Sequence, residues 1–242
     1  MKVVVIIPAA GLGTRMGAPG AGPAKQFTEI DGVPILIHTL RRFTPLHQVS
    51  EILIAMRPGE SGFAERVKQE GFHKPIRVVE GGEHRQQSVA NALAEVNAGD
   101  DDVVLVHDAV RPFVDREIVE NVIGAAARHG AAIAGVPAVD TVKQVDRTAQ
   151  GAIVIATIPR ERVVLAQTPQ GFRFGVIRQA FQQAASDGYI GTDEASLVER
   201  NGQEVAVVMG SARNIKITSP GDLELAEFFL SLESRRRVSL TG

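Results

Sequence analysis

The sequence predicts an α/β fold: a mostly parallel twisted sheet with helices on both faces, Rossmann-like, plus a projecting β-hairpin arm. Three observations carry this. Short Val- and Ile-rich runs recur without apolar/polar alternation, which suits strands covered on both faces. Helical patterns lie between them, and strands alternating with helices build a parallel sheet between helical layers. One stretch, 137–167, departs from that rhythm.

The strands are expected at Val3–Ile7, Ile52–Met56, Ile76–Val79, Val103–His107 and Ala131–Val136, each ending near Gly, Pro, Asp or Glu. The helices are expected at Ile35–Phe43, Phe63–Glu70, His84–Ala98, Arg116–His129 and Phe174–Ser186. Within 137–167, Thr141–Val145 and Ala152–Thr157 alternate and flank the polar link Asp146–Gly151, which reads as a β-hairpin. Such an excursion covers a sheet edge or reaches a partner subunit. Near the end, Ser219 as N-cap, Pro220 at the first helical position and Asp222 in the first turn mark a helix start. The tail Arg235–Gly242 is expected to fray.

The 242 residues contain no linker or repeat, so one domain spanning 1–242 is expected, with 137–167 as its arm. A chain this long buries roughly 70% or more of its unfolded surface and needs no staple. It has no cysteine, which removes thiol catalysis, zinc–thiolate sites and disulfides. The net charge of −2 gives no support to nucleic acid as a partner. The apolar run before Pro8 is too short for a signal peptide or a membrane span, so a soluble, cytoplasmic protein is expected.

The first strand runs into Pro8-Ala9-Ala10-Gly11-Leu12-Gly13-Thr14-Arg15-Met16-Gly17. A glycine-rich turn opening a helix is a place for phosphate. The dinucleotide fingerprint needs a glycine where Met16 stands, and the P-loop needs Lys then Ser or Thr after its last glycine; neither fits. Arg15, and Lys25 after a second flexible stretch, supply cations suited to a triphosphate. The plain alternative is a βα turn with surface cations.

Asp108 at the end of a central strand is placed to hold Mg²⁺, which takes one or two carboxylates plus phosphate oxygens, and Arg111 is a second anion ligand. The plain alternative is an Asp N-cap with an Arg partner, and His107 beside it reads as hydrogen-bonded rather than as a base. Gly81-Gly82 allows close approach of a flat ligand, with Ser88 one helical turn on; it is equally a turn before a helix. Lys143, Arg160, Arg162 and Lys216 read singly as solvated cations, and Asp193-Glu194 as dipole-stabilising acids in a helix first turn.

In order, PAAGLGTRMG, KQF, GGEHRQQSV, VHDAVRPF, DTVK, TPQGF, TDEAS and NIKIT resemble the 2-C-methyl-D-erythritol 4-phosphate cytidylyltransferases of the non-mevalonate isoprenoid pathway, from Pro8 to the last helix. The resemblance implies transfer of CMP from CTP to that polyol phosphate, with Mg²⁺, in a homodimer whose β-arm completes the partner's site. It implies that Ala9, Ala10, Gly82, Glu83 and Ser88 frame cytosine, and that Gly11 and Gly13 line ribose and triphosphate. Arg15 and Lys25 would stabilise the reacting triphosphate, and Asp108 the metal, with Ala109 near the ribose. Thr141, Arg160 and Lys216 would hold the methylerythritol phosphate, the first two from the neighbouring subunit.

Three departures from the family pattern stand out. The Gly13–Lys25 loop is a few residues longer than usual, Glu83 replaces an aspartate, and Arg213 stands where some members carry an acid. A ribitol 5-phosphate cytidylyltransferase is the alternative, and a non-catalytic nucleotide-binding regulator a distant one.

Overall fold

A computed structural model describes residues 1–11 and 25–241; the side chains at 25, 61 and 236–241 are outside the description. The strands are β1 (Val3–Pro8), β2 (Glu29–Ile30), β3 (Val33–Pro34), β4 (Val49–Met56), β5 (Ile76–Glu80) and β6 (Val103–Val106), then β7 (Ala131–Pro137), β8 (Val142–Thr148), β9 (Gly151–Ile158), β10 (Val164–Arg173) and β11 (Ala206–Met209). The helices are α1 (Ile35–Phe43), α2 (Ser61–Gln69), α3 (Arg85–Ala94), α4 (Arg116–His129), α5 (Phe174–Asp187), α6 (Glu194–Arg200) and α7 (Pro220–Thr241).

Seven strands form the central sheet in the order β11-β7-β10-β6-β1-β4-β5. All run parallel except β10, which is antiparallel to both neighbours. Successive side chains of a strand point to opposite faces, and β1 shows the result. Val3, Val5 and Ile7 enter an apolar layer with α1 and α4, while Val4 and Ile6 enter the layer with α3 and α5. All five are fully buried, each worth about 1.5–3 kcal/mol relative to exposure. An unalternating apolar strand is therefore what this position requires.

The mixed, mostly parallel sheet bears out the fold class. β10 was missed because its sequence, VLAQTPQGFR, carries Pro, Gly and two Gln, which normally mark turns. The pairing of β10 with β7 is irregular between Ala166 and Gln170, so these residues occupy a break in the ladder. Its second half is nonetheless buried between β6 and β7. Several boundaries also differ from expectation: the expected link Asp146–Gly151 is mostly strand, because cross-strand pairing carries β8 to Thr148 and starts β9 at Gly151, leaving residues 149–150 between them. α3 stops at Ala94 rather than Ala98, and α7 continues to Thr241, past the point where fraying was expected. The start of α7 is braced as read: Asp222 Oδ2 accepts from Ser219 N–H at 2.8 Å, and Asp222 N–H donates to Ser219 Oγ at 3.4 Å.

Among the described residues β8 and β9 pair only with each other, as a separate antiparallel hairpin. Every residue of β9 is exposed, including Ile153, Val154 and Ile155.

Candidate active site

Parallel sheets bind ligands beyond the carboxyl ends of their strands, and the main cleft lies there. β1 leads into Ala9-Ala10-Gly11, β5 into Gly81-Gly82-Glu83, and β6 into His107-Asp108-Ala109. Ala9 N–H donates to Ala55 C=O at 2.8 Å and Gly81 N–H to Met56 C=O at 2.6 Å, so both connections continue flat along β4. A Cβ at Gly81 would collide with that of Ala10, so only glycine lets these two walls meet. Ser88 Oγ then braces the turn, accepting from Gly82 N–H at 3.1 Å and donating to His84 C=O at 3.1 Å. Gln26, almost fully buried, donates through Nε2 to Ala9 C=O at 2.5 Å, tying the segment after Lys25 to the strand end.

The far wall is charged. Asp108 is buried and meets three cations: Lys216 Nζ at 2.9 Å, Arg111 Nε at 3.2 Å and Arg85 Nε at 3.3 Å. Burial alone would raise its pKa, but the charges of Arg85, Lys216 and Arg111 outweigh it and hold the carboxyl well below the usual range. Arg85 reaches on to Glu194 Oε1 at 2.5 Å. Burial pushes the Glu194 carboxyl up, against the pull of Arg85, and its second oxygen has no hydrogen-bond partner among the described residues. Three cations against two carboxylates leave this cluster positive, which suits an anion.

Behind it lies a second chamber, walled by Arg111, Thr168, Gln170, Thr192 and Asp193. Arg85, Asp108 and Lys216 line both chambers, whereas Arg111 lines only the second.

The structure thus brings Ala9, Ala10, Gly11, Gly82, Glu83, Ser88, Asp108, Ala109 and Lys216 into one cleft. Thr141 and Arg160 line neither chamber; both are exposed, and Arg160 Nη1 donates to Val139 C=O at 2.7 Å. Gly13 and Arg15 lie outside the described residues, as does the side chain of Lys25. Asp108 heads a turn, closed by Arg111 N–H to its C=O at 3.1 Å, rather than capping a helix. Asp193 is the N-cap of α6, accepting from Ser196 N–H at 3.0 Å. Glu194 is more than a dipole partner, because it is the buried anchor of Arg85.

Sequence reasoning missed Gln26, Arg85, Thr168 and Thr192 as wall residues, and Glu194 as the buried partner of Arg85. The Arg85–Glu194 pair spans 109 positions, and nothing in either local pattern points to the other. Arg213 turns to α7 instead of the cleft: its guanidinium lies 5.0 Å from the Phe229 ring and 3.8 Å from Glu233. Among the described residues no group of three or more His, Cys, Asp or Glu could hold a metal. One ionised carboxylate, Asp108, suits Mg²⁺ held chiefly through phosphate oxygens.

A parallel-rich sheet with a glycine-lined cleft at its strand ends, facing clustered cations, is built to take a nucleotide or another phosphate compound. The sequence matches the family model described as 2-C-methyl-D-erythritol 4-phosphate cytidylyltransferase over residues 3–232. The chain belongs to that family. It is 56% identical over 239 residues to a protein of that name from Acidobacterium capsulatum, covering 98% of this chain and 100% of the relative. The similarly named protein of Geotalea uraniireducens is 47% identical over 240 residues, covering 98% and 100%. Among solved structures, 4-diphosphocytidyl-2C-methyl-D-erythritol synthase from Anaerococcus prevotii superposes with a TM-score of 0.81 at 30% identity, covering 95% of this chain and 96% of that one. The 2-C-methyl-D-erythritol 4-phosphate cytidylyltransferase of Thermus thermophilus does so at 0.74 and 36%, covering 95% and 98%.

Proposed function

We propose that the protein transfers CMP from CTP to 2-C-methyl-D-erythritol 4-phosphate, giving 4-diphosphocytidyl-2-C-methyl-D-erythritol and pyrophosphate in isoprenoid precursor biosynthesis. The observation that carries the geometric side of this reading is the continuity of the two chambers through Arg85, Asp108 and Lys216. Cytosine would sit against Ala9, Ala10, Gly82, Glu83 and Ser88, with Gly11, Gly13 and Ala109 along ribose and triphosphate. The acceptor phosphate would enter the second chamber, met by Arg111 and Lys216.

A phosphate monoester has a second pKa of about 6 and is mostly dianionic at neutral pH, so it attacks without a general base. One of its oxygens forms a bond to the α-phosphorus of CTP. The bond from that phosphorus to the bridging β-phosphate oxygen breaks, and pyrophosphate leaves with the electron pair. What the protein must supply is positioning and positive charge. Arg15 and Lys25 would stabilise the triphosphate, and removing either is expected to lower kcat on the order of 10²-fold. Asp108 would hold a divalent cation such as Mg²⁺, whose contribution is to neutralise phosphate charge.

The arm would dimerise, with Thr141 and Arg160 entering the second chamber of the partner subunit. Ile153, Val154 and Ile155 on β9 are all exposed, and large apolar side chains left uncovered along one strand support an interface there. Among the described residues no helix is long and apolar enough to cross a membrane, and a cytoplasmic location suits an enzyme that draws on CTP.

The experiment is pyrophosphate release from CTP and Mg²⁺ with methylerythritol 4-phosphate or ribitol 5-phosphate at equal concentration. Strong preference for the first is expected. Preference for the second would move the protein to polyol-phosphate activation, and CTP binding without release would leave a regulator.

A further inference from the structure

His107 is fully buried directly beneath the junction of the two chambers and lines neither of them. Its ring packs edge-on against Phe43, with centroids 4.8 Å apart. Its hydrogen bonds can be assigned by elimination. Nε2 lies 3.0 Å from the C=O of Arg111, which can only accept, so Nε2 carries the proton. Burial keeps the ring neutral, so Nδ1 is an acceptor and the Thr168 hydroxyl 3.1 Å away donates to it. The lone pairs of that hydroxyl are left to accept Asp108 N–H at 3.0 Å. Arg111 N–H returns to Asp108 C=O at 3.1 Å.

The result is a closed circuit, every donor used once: Asp108 N–H to Thr168, Thr168 O–H to His107, His107 N–H to Arg111, and Arg111 N–H to Asp108. It is tied to the Lys216 segment as well, because Asn214 Nδ2 donates to Thr168 C=O at 2.8 Å and Arg111 Nη1 to Asn214 C=O at 2.6 Å. Turning the ring over would break both of its bonds at once in a site without water access, so the geometry admits one tautomer.

We propose that His107, bonded directly to Arg111 and through Thr168 to Asp108, is the positioning residue that fixes the one relative to the other, and so shapes the phosphate-acceptor chamber without touching substrate. The proposal rests on the assignment of that chamber to the acceptor. Because His107 holds the Arg111 backbone directly, and Arg111 faces only that chamber, its loss acts on the acceptor more than on CTP.

Paired isosteres test this. In His107→Asn the side-chain oxygen keeps an acceptor for Thr168 but the donor to Arg111 is lost. In His107→Gln the amide nitrogen keeps that donor. His107→Asn is expected to raise the acceptor KM about tenfold or more, with the CTP dissociation constant unchanged within about twofold. His107→Gln should recover most of the loss. Equal effects of the two variants on the acceptor, or an equal rise for CTP, would overturn the role. Arg111→Met separates the two readings. If it raises the acceptor KM while His107→Asn does not, the positioning role fails. If Arg111→Met leaves that KM unchanged, the chamber assignment fails and takes the role with it. Nitrogen NMR of the wild-type ring needs no variant to fold. A protonated Nε2 with a bare Nδ1 is expected, and the opposite tautomer contradicts the circuit.

Discussion

The two chambers share a wall of Arg85, Asp108 and Lys216 and differ in the remainder. The one proposed for the nucleotide is walled largely by backbone and small side chains, and what sets its shape is space: Gly81 against Ala10, and the Gly82 turn braced by Ser88. The one proposed for the acceptor is walled by long polar and charged side chains, and what sets its shape is partnership, with Asp108 shared among three cations. The first should therefore break when a methyl is added, and the second when a partner is removed.

The largest effect is expected from Asp108→Ala. It takes the carboxylate partner from Arg111 and Lys216 and leaves Arg85 with Glu194 alone, and breaking a buried pair typically costs about 3–5 kcal/mol. kcat/KM for pyrophosphate release should fall on the order of 10²-fold or more; a variant with near-normal turnover would remove Asp108 from the centre of the account.

The brace beneath Arg111 should next show itself in pH. Burial pushes His107 down to about 4 from an ordinary 6.5. Between those values the unfolded chain binds the proton and the folded one does not. Stability is thus fully present above pH 6.5 and falls as pH drops towards 4, by about 3 kcal/mol in all. Denaturant titrations across that window should flatten in His107→Gln, and an unchanged slope would contradict a neutral buried ring.

Gly81→Ala is expected to cost about 1–3 kcal/mol by overpacking, since the Met56 carbonyl, 3.2 Å from the added carbon, is backbone and cannot swing aside. The KM for CTP should rise with the acceptor KM little changed. Equal rises in both would erase the distinction between the chambers.

The smallest effect belongs to Arg213, which touches neither chamber. Arg213→Ala should lower stability by about 0.5–1 kcal/mol through its ring contact with Phe229, with turnover unchanged. A loss of activity would show that α7 is coupled to the Lys216 segment.

The same division explains what could be read beforehand. Strands β1, β4 and β6 were legible because burial on both faces forces an unbroken apolar run, and the glycines of the nucleotide chamber because their position after a strand is local. β10 was not legible, since TPQGF has the composition of a loop and owes its strand form to the neighbours on either side. Nor were Arg85 and Glu194, or Thr168 and His107. Each pair is made by long-range approach of segments whose own sequences favour a solvated helix turn or a simple loop. Asp108 stood out by its place at a strand end, but its three cationic partners could be counted only in three dimensions.

A structure of the protein with CTP bound tests the division of the cleft most directly. The account predicts the cytosine ring against Gly82 and Ser88, with the triphosphate running towards Arg85 and Lys216. A base seated instead between Gln170 and Thr192, in the chamber of Arg111, would contradict it.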